Sequence, residues 1–542
     1  MCAQAVLAAV TWLASSLVAA SPYEQCEAST SKFLKVETTN GLIEGHIVDD
    51  TPCVIEYLGI PYAKPPVGDL RFASPQRYED HHSYEAKDFG YDCPHSTFPY
   101  IDYPDFFEDA NRIIDYFAAS GGTPQSEDCL TLNIWAKATF RSNLARKPVL
   151  VFFYGGKFTF GNTNTPFYYG VNFANAEDLV VVTVNYRMNI FGFPGADGLD
   201  TNLGMRDQRL ATEWVRDNIA AFGGDTSKIT ISGQSAGGAT VDYWTYAYRD
   251  DPIISAAITH SGNVFSFPLP DPSTQQDNWE TVVDYVGCGN ATDTFKCMRN
   301  ASWEDIKAGA ATVKSGQSSS PLRTVPSFYP KADNLLVFTD YLERTDQGDF
   351  AKVPILYGNN NNEAGFYAIT VYSNGAVPTQ EQDNVFNLES FTCAVAKQVE
   401  SRRRHGTPAW AFRYMGDWNN TRLYPTSGAY HGTDMHMLFG NSAAVSGLPT
   451  SEPQRGLTKL MQHSWFAFLD NPRTGLSERG WPEYDPNEKT LVRLGNDNKP
   501  EYELLYPSSY DSFCSNTTLG SLGTSTTTSS VKVRLEAEAH KN

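Results

Sequence analysis

Lys228-Ile229-Thr230-Ile231-Ser232-Gly233-Gln234-Ser235-Ala236-Gly237-Gly238-Ala239-Thr240-Val241 decides how this chain is read. A β-branched run ends in Gly233-Gln234-Ser235-Ala236-Gly237, and a helix-compatible run follows. A serine with a glycine two residues away on each side, between a strand and a helix, fits a nucleophile elbow. The glycines serve a turn so tight that Cβ atoms would collide. Such a turn holds the Ser235 hydroxyl exposed at the end of a sheet and leaves the Ala236 N–H available to a developing oxyanion. Alone the pattern is modest, because Gly-rich turns with a structural serine are common.

The surrounding pattern supplies the fold class. Apolar, β-branched runs recur at Val149–Phe153, Leu179–Val184, Ile229–Ile231, Ala256–Thr259 and Val353–Tyr357. Continuous apolar strands are those covered on both faces, so they predict a central, mostly parallel sheet. Arg206 to Phe222 has helical apolar spacing and precedes the Ile229 strand, giving α/β alternation. With the elbow, the expected fold is that of an α/β-hydrolase, a large, mostly parallel sheet flanked by helices. No internal repeat is visible. One domain over 21–514 is expected, followed by a Ser/Thr-rich tail over 515–542 whose composition predicts disorder.

Composition excludes several functions. The 542 residues carry a net charge of −20, and the one dense basic run is Arg402-Arg403-Arg404-His405. That run reads as a solvated helix face, and nucleic acid is excluded as a partner because its binding needs clustered cations. Residues 3–20 are nearly all small or apolar and end in Val18-Ala19-Ala20, a pattern that fits a secretory signal peptide over 1–20. The positive charges usual at the start of such a leader are missing. A membrane anchor is the alternative, but the stretch is short and interrupted by Ser and Thr, and no later run would span a membrane. Of nine cysteines, Cys2 falls in the leader, which leaves an even set for an oxidising compartment. Asn290, Asn300, Asn419 and Asn516 head glycosylation sequons. No Cys or His spacing supports a metal. A secreted, extracellular protein is expected.

Further motifs accumulate along the chain. Glu56-Tyr57-Leu58-Gly59-Ile60-Pro61-Tyr62-Ala63, with Pro65-Pro66-Val67-Gly68 and Leu70-Arg71-Phe72, resembles the N-terminal signature of type-B carboxylesterases, the family of cholinesterases and fungal lipases. Ser126-Glu127-Asp128-Cys129-Leu130-Thr131-Leu132-Asn133 resembles its second signature. Asn185-Tyr186-Arg187, Asp207-Gln208-Arg209 and Phe222-Gly223-Gly224-Asp225 continue the likeness, which covers roughly residues 35 to 510.

Serine chemistry needs a base in reach and an acid to orient it, in the chain order Ser, acid, His for this fold. Glu363, just past a predicted strand, matches the acid, and His431 in Gly428-Ala429-Tyr430-His431-Gly432-Thr433-Asp434 matches the base. His81, His82 and His405 sit in polar stretches, and His436 would face another way from His431 on a helix. By resemblance, Ser261 and Asp434 support the triad from behind. The loop Tyr154-Gly155-Gly156-Lys157-Phe158 matches the glycine loop whose N–H groups bind the oxyanion, so Gly156, Lys157 and Ala236 are the implied donors. Here the chain departs from the pattern, because Lys157 replaces a third glycine. Either the lysine points to solvent and changes little, or it reshapes the pocket and its electrostatics. No cofactor is implied.

The resemblance also implies the disulfides Cys93–Cys129, Cys288–Cys297 and Cys393–Cys514, with Cys26–Cys53 as the remaining pair. Cholinesterases carry Glu before the nucleophile and a Trp before the Glu-Asp-Cys signature. Gln234 and the Trp-free Ala118-Ala119-Ser120-Gly121-Gly122 stand there instead, which steers away from choline esters. The 94–128 segment holds Phe98, Tyr100, Tyr103, Phe106, Phe107, Tyr116 and Phe117, either a lipase-like lid or a packed loop over a closed gorge. A secreted ester hydrolase acting on small-molecule esters is expected. A lipase or sterol esterase at lipid interfaces is the alternative, and a non-catalytic adhesion protein of the same fold a lesser one. The sequence leaves the oligomeric state open.

Overall fold

The computed structural model describes residues 33–138, 146–314, 316 and 320–516. The predicted leader, Cys26 and the tail beyond residue 516 lie outside them. Eleven strands make one sheet: β1 (His46–Val48), β2 (Thr51–Pro61), β3 (Thr131–Lys137), β4 (Lys147–Phe153), β5 (Val180–Val184), β6 (Gly224–Gln234), β7 (Ala256–His260), β8 (Ile355–Asn360), β9 (Ala409–Tyr414), β10 (Leu491–Leu494) and β11 (Tyr502–Leu505). Their order across the sheet is 11-10-9-8-7-6-4-5-3-2-1. From β10 to β5 every neighbour is parallel, and antiparallel strands close both edges. This is the α/β-hydrolase architecture.

The physical basis is the one the sequence displays. β4, β5, β7, β8 and β9 are buried along their whole length, so both faces are covered and no polar alternation survives. Each buried Val, Leu, Ile or Phe on them contributes roughly 1.5–3 kcal/mol of transfer free energy. Helices Leu203–Asn218, Ala236–Ala247, Cys393–Arg404 and Glu452–Asp470 present apolar residues to these faces. A separate three-stranded sheet joins Lys35–Thr38, Gly41–Glu44 and Tyr84–Glu85.

Register places the chemistry. Gln234 at the end of β6 lies opposite His260 of β7, and His260 lies opposite Gly358 of β8. The C-terminal ends of these parallel strands are therefore level, and the loops leaving them share one edge, where open α/β sheets build their sites.

Cys93–Cys129, Cys288–Cys297 and Cys393–Cys514 are bonded. Cys53 is also disulfide-bonded. Asn290, Asn300 and Asn419 are exposed, as glycosylation requires. Among the described residues no helix is long and apolar enough to cross a membrane.

One expectation needs correction. The basic run at 402–405 is not a uniformly solvated face. Arg402 is buried, donating from Nη2 to Asp242 Oδ1 at 3.0 Å and to Thr245 Oγ1 at 2.8 Å. It anchors the Cys393–Arg404 helix to the Ala236–Ala247 helix, whereas Arg404 stays exposed. A buried carboxylate waiting on another helix is invisible to local charge counting.

Candidate active site

Ser235 sits between β6 and the Ala236–Ala247 helix with φ 56° and ψ −119°. A non-glycine residue with positive φ is strained, and such strain persists only where the surroundings impose it. The flanking glycines show how they do. A Cβ on Gly233 would fall 2.3 Å from the Gly237 backbone, and one on Gly237 would fall 2.1 Å from the Phe153 carbonyl oxygen. The elbow thus presses against β4, and the Ala239 N–H closes it by donating to the Ser235 carbonyl at 2.8 Å.

Glu363 follows β8 by a short turn and immediately precedes the Ala364–Ser373 helix. Its carboxylate is fully buried and takes three hydrogen bonds. Oε2 receives His431 Nδ1 at 2.5 Å. Oε1 receives the Ser261 hydroxyl and the Asn360 N–H, each at 2.6 Å. Both oxygens of this carboxylate thus have partners away from water. With Nδ1 carrying the proton toward Glu363, the other ring nitrogen of His431 is left as an acceptor.

Nε2 of His431 faces the residue that precedes Ser235. The Gln234 amide lies 3.1 Å away and the Tyr367 hydroxyl 3.4 Å away. Among the described residues no hydrogen bond joins Ser235 directly to His431. Catalytic contacts of an empty site are commonly long and tighten on substrate. Phe117, Tyr367 and Phe391 pack their rings around the imidazole at centroid distances of 6.3, 5.0 and 5.4 Å. This apolar collar strengthens the His431–Glu363 pairing by excluding water.

Asp434 supports the site less directly than the sequence implies. Its Oδ2 pairs with His260 Nδ1 at 2.7 Å, and its Oδ1 receives Asn360 Nδ2 at 3.0 Å. Asn360 in turn donates its backbone N–H to Glu363, so Asp434 and His260 brace the acid through one residue. Trp465 closes this buried group by donating Nε1 to His260 Nε2 at 3.2 Å.

The glycine loop runs Gly156 at φ 101°, Lys157 at φ 54° and Phe158 at φ 62°. Among the described residues no protein acceptor takes the Gly156 or Lys157 N–H, although buried N–H groups are nearly always paired. They and the Ala236 N–H, in the first turn of its helix, are open donors beside Ser235. The Lys157 side chain does not point into bulk solvent. Its Nζ donates to Thr324 Oγ1 at 3.2 Å and lies 4.8 Å from the centroid of the Tyr367 ring. Burial pulls its pKa down to about 8.

The loop closed by Cys93–Cys129 packs inward. Ile113, Ile114 and Phe117 are buried, and the Tyr103 ring packs at tilted and edge-on angles against Phe106, Tyr372 and Tyr424. Of its aromatic residues only Tyr100 and Phe107 are exposed. His436 is likewise buried, bonded to Ser442 Oγ through Nδ1 at 2.9 Å. Among the described residues no three His, Cys, Asp or Glu side chains gather as a metal site would need.

Sequence reasoning missed Tyr367, Thr324, Asn360 and the His260–Asp434 pair. One signal was present: Tyr367 follows Glu363 by four residues at the start of a helix, which places both on one face. The others depend on strands and loops far apart in the chain.

Comparison with known proteins follows this geometry. The sequence profile of the Carboxylesterase family matches residues 32–399 and 379–511. Secreted lipase 5 of Gibberella zeae is 32% identical over 90% of this chain and 94% of its own. Chlorogenic acid esterase of Aspergillus niger is 34% identical over 86% of this chain and 88% of its own. Acetylcholinesterase of Electrophorus electricus is 33% identical over 72% of this chain and 60% of its own.

Proposed function

The chain belongs to the carboxylesterase family and is a carboxylic ester hydrolase, and from that premise we propose that it is a secreted enzyme working through Ser235, His431 and Glu363 by way of an acyl-enzyme. The observation that carries the reading is the 2.5 Å Glu363–His431 contact, with Nε2 of that histidine 3.1 Å from Gln234, the residue before a serine held at φ 56°. Nε2 accepts the Ser235 proton as the oxygen attacks the ester carbonyl, and the Glu363 carboxylate stabilises the resulting imidazolium. The carbonyl oxygen becomes an alkoxide that accepts from the N–H groups of Gly156, Lys157 and Ala236. Each such donor is worth about 10²–10³ in rate. Collapse expels the alcohol, which takes the proton from His431. Water then enters and the same steps run on the acyl-enzyme to release the acid and restore Ser235.

A soluble-ester substrate in an enclosed gorge fits better than interfacial lipolysis. The aromatic residues of the Cys93–Cys129 loop are spent on internal packing and leave little apolar surface for lipid. Secretion is supported by the leader-like first residues, the disulfides and the likeness to a secreted lipase. An adhesion role is disfavoured because all three triad residues are present and two are in contact.

The test is hydrolysis of a short-chain aryl ester by the wild-type chain and by Ser235→Ala. Loss of turnover in the variant is expected, and equal rates overturn the reading. Rates on long acyl chains above and below micelle formation address the substrate class, where an interfacial jump would favour the lipase.

A further inference from the structure

Lys157 carries two physical costs that its neutral partners offset only in part. Its backbone occupies the left-handed region, where a Cβ is penalised by roughly 1–2 kcal/mol. Its ammonium is half-buried with a hydroxyl and a ring face as partners, and no carboxylate pairs with it among the described residues. In a chain with 62 acidic and 42 basic side chains, counter-charges are plentiful. A cation without a paired carboxylate beside a strained serine is the kind of arrangement held in place for a ligand.

Its position tells where that ligand lies. Lys157, Thr324 and Pro326 form the partition between two spaces. On one side is the small pocket against Ser235 and Ala236. On the other is a cavity of about 620 Å³ that also reaches Phe98, Phe366 and Lys307. Lys307 adds a second ammonium to that cavity, where Glu304 is the one acidic lining residue. The cavity is thus locally cationic on an acidic protein. Because the Lys157 N–H is an oxyanion donor, its Nζ reaches at most about 6 Å from the same Cα, given standard bond lengths. An anion bound there belongs to the ester itself, a few atoms from the scissile carbonyl.

We propose that Lys157 recognises a carboxylate on the substrate, so that esters bearing an anionic group near the reacting carbonyl are the preferred substrate class. The inference rests on Ser235 being the nucleophile. The carboxylate would displace the solvent side of the ammonium while Thr324 and the Tyr367 ring keep Nζ in place, a charge-assisted contact in a partly dry cavity.

Two ester pairs test it with the full chain. Para-nitrophenyl butyrate against the mono-para-nitrophenyl ester of glutaric acid places the carboxylate on the acyl side. Phenyl butyrate against para-carboxyphenyl butyrate places it on the alcohol side. For each pair the readout is the ratio of kcat/KM for the anionic to the neutral ester, which cancels any general effect on the oxyanion loop. In Lys157→Met the ratio should fall about tenfold to hundredfold for one pair, which identifies the side, and Lys157→Arg should retain part of it. Ratios unchanged in both pairs overturn the proposal. If Lys157→Met is inactive on every ester, inhibition of the wild type decides: either glutaric acid monoanilide (acyl side) or 4-butanamidobenzoic acid (alcohol side) should bind at least about tenfold tighter than its own primary amide. Equal inhibition within both pairs overturns it. Ser235→Ala separates the two readings, because activity surviving in that variant defeats the nucleophile assignment, whereas its loss with unchanged ratios defeats only the role of Lys157.

Discussion

Glu363→Gln isolates the electrostatic part of the proposed mechanism with almost no change of shape. In the structure Oε1 is committed to two donors, the Ser261 hydroxyl and the Asn360 N–H, each at 2.6 Å. Only the amide oxygen can satisfy them, so the new NH₂ must occupy the Oε2 position, 2.5 Å from His431 Nδ1. Two donors would then face each other, and the imidazole relieves the clash by moving its proton to Nε2. That tautomer has no lone pair to accept the Ser235 proton, and the charge that stabilised the imidazolium is also gone. The expected loss is about 10³–10⁴ in kcat, or about 4–5.5 kcal/mol of barrier, with KM nearly unchanged. The assay is steady-state hydrolysis of a short-chain aryl ester beside a thermal melt. A variant that melts like wild type and loses less than about tenfold in kcat would refute the role given to Glu363.

Three further outcomes follow from the same geometry. Gly237→Ala drives a Cβ to 2.1 Å from the Phe153 carbonyl, so it should destabilise by about 3 kcal/mol or more, read as a lower melting midpoint or loss of soluble protein. Cys129→Ser opens a loop of sequence separation 36 and should cost about 3–4 kcal/mol, read by thermal melting, and it should slow turnover because the freed segment carries Phe117 against His431. Burial raises the Asp92 carboxyl from 3.8 to about 6, with Asn162, Thr123 and a neutral His95 as its polar neighbours. Its stabilising contribution is therefore complete below about pH 4 and lost as pH rises through about 6, so Asp92→Asn should gain about 2–3 kcal/mol relative to wild type between those limits and neutrality, read as melting midpoints against pH. A constant difference across that range would contradict it.

Much of the fold was legible because its physics is local. Val149–Phe153 and Leu179–Val184 read as buried strands, and the structure forms β4 and β5 there, since parallel strands covered on both faces leave an unbroken apolar record. β8 shows where this fails: it begins at Ile355 and continues through Gly358-Asn359-Asn360, polar residues whose hydrogen bonds serve the site and not the core. The order Ser235, Glu363, His431 was readable because sheet topology constrains it. Arg402 beside Asp242, Thr324 beneath Lys157 and His260 against Asp434 were not, because each pair is brought together by elements more than a hundred residues apart. Lys157 stood out in sequence as a departure from pattern, but the Tyr367 ring under its ammonium is a fact of packing alone.

The central claim, that Ser235 forms an acyl-enzyme, is tested most directly by rapid mixing with a slowly deacylated para-nitrophenyl ester followed by mass spectrometry of the quenched protein. The account predicts a burst of one nitrophenolate per active site, with the acyl mass on the peptide containing Gly233-Gln234-Ser235-Ala236-Gly237 and neither signal in Ser235→Ala. An adduct on another residue, or undiminished turnover in Ser235→Ala, would contradict it.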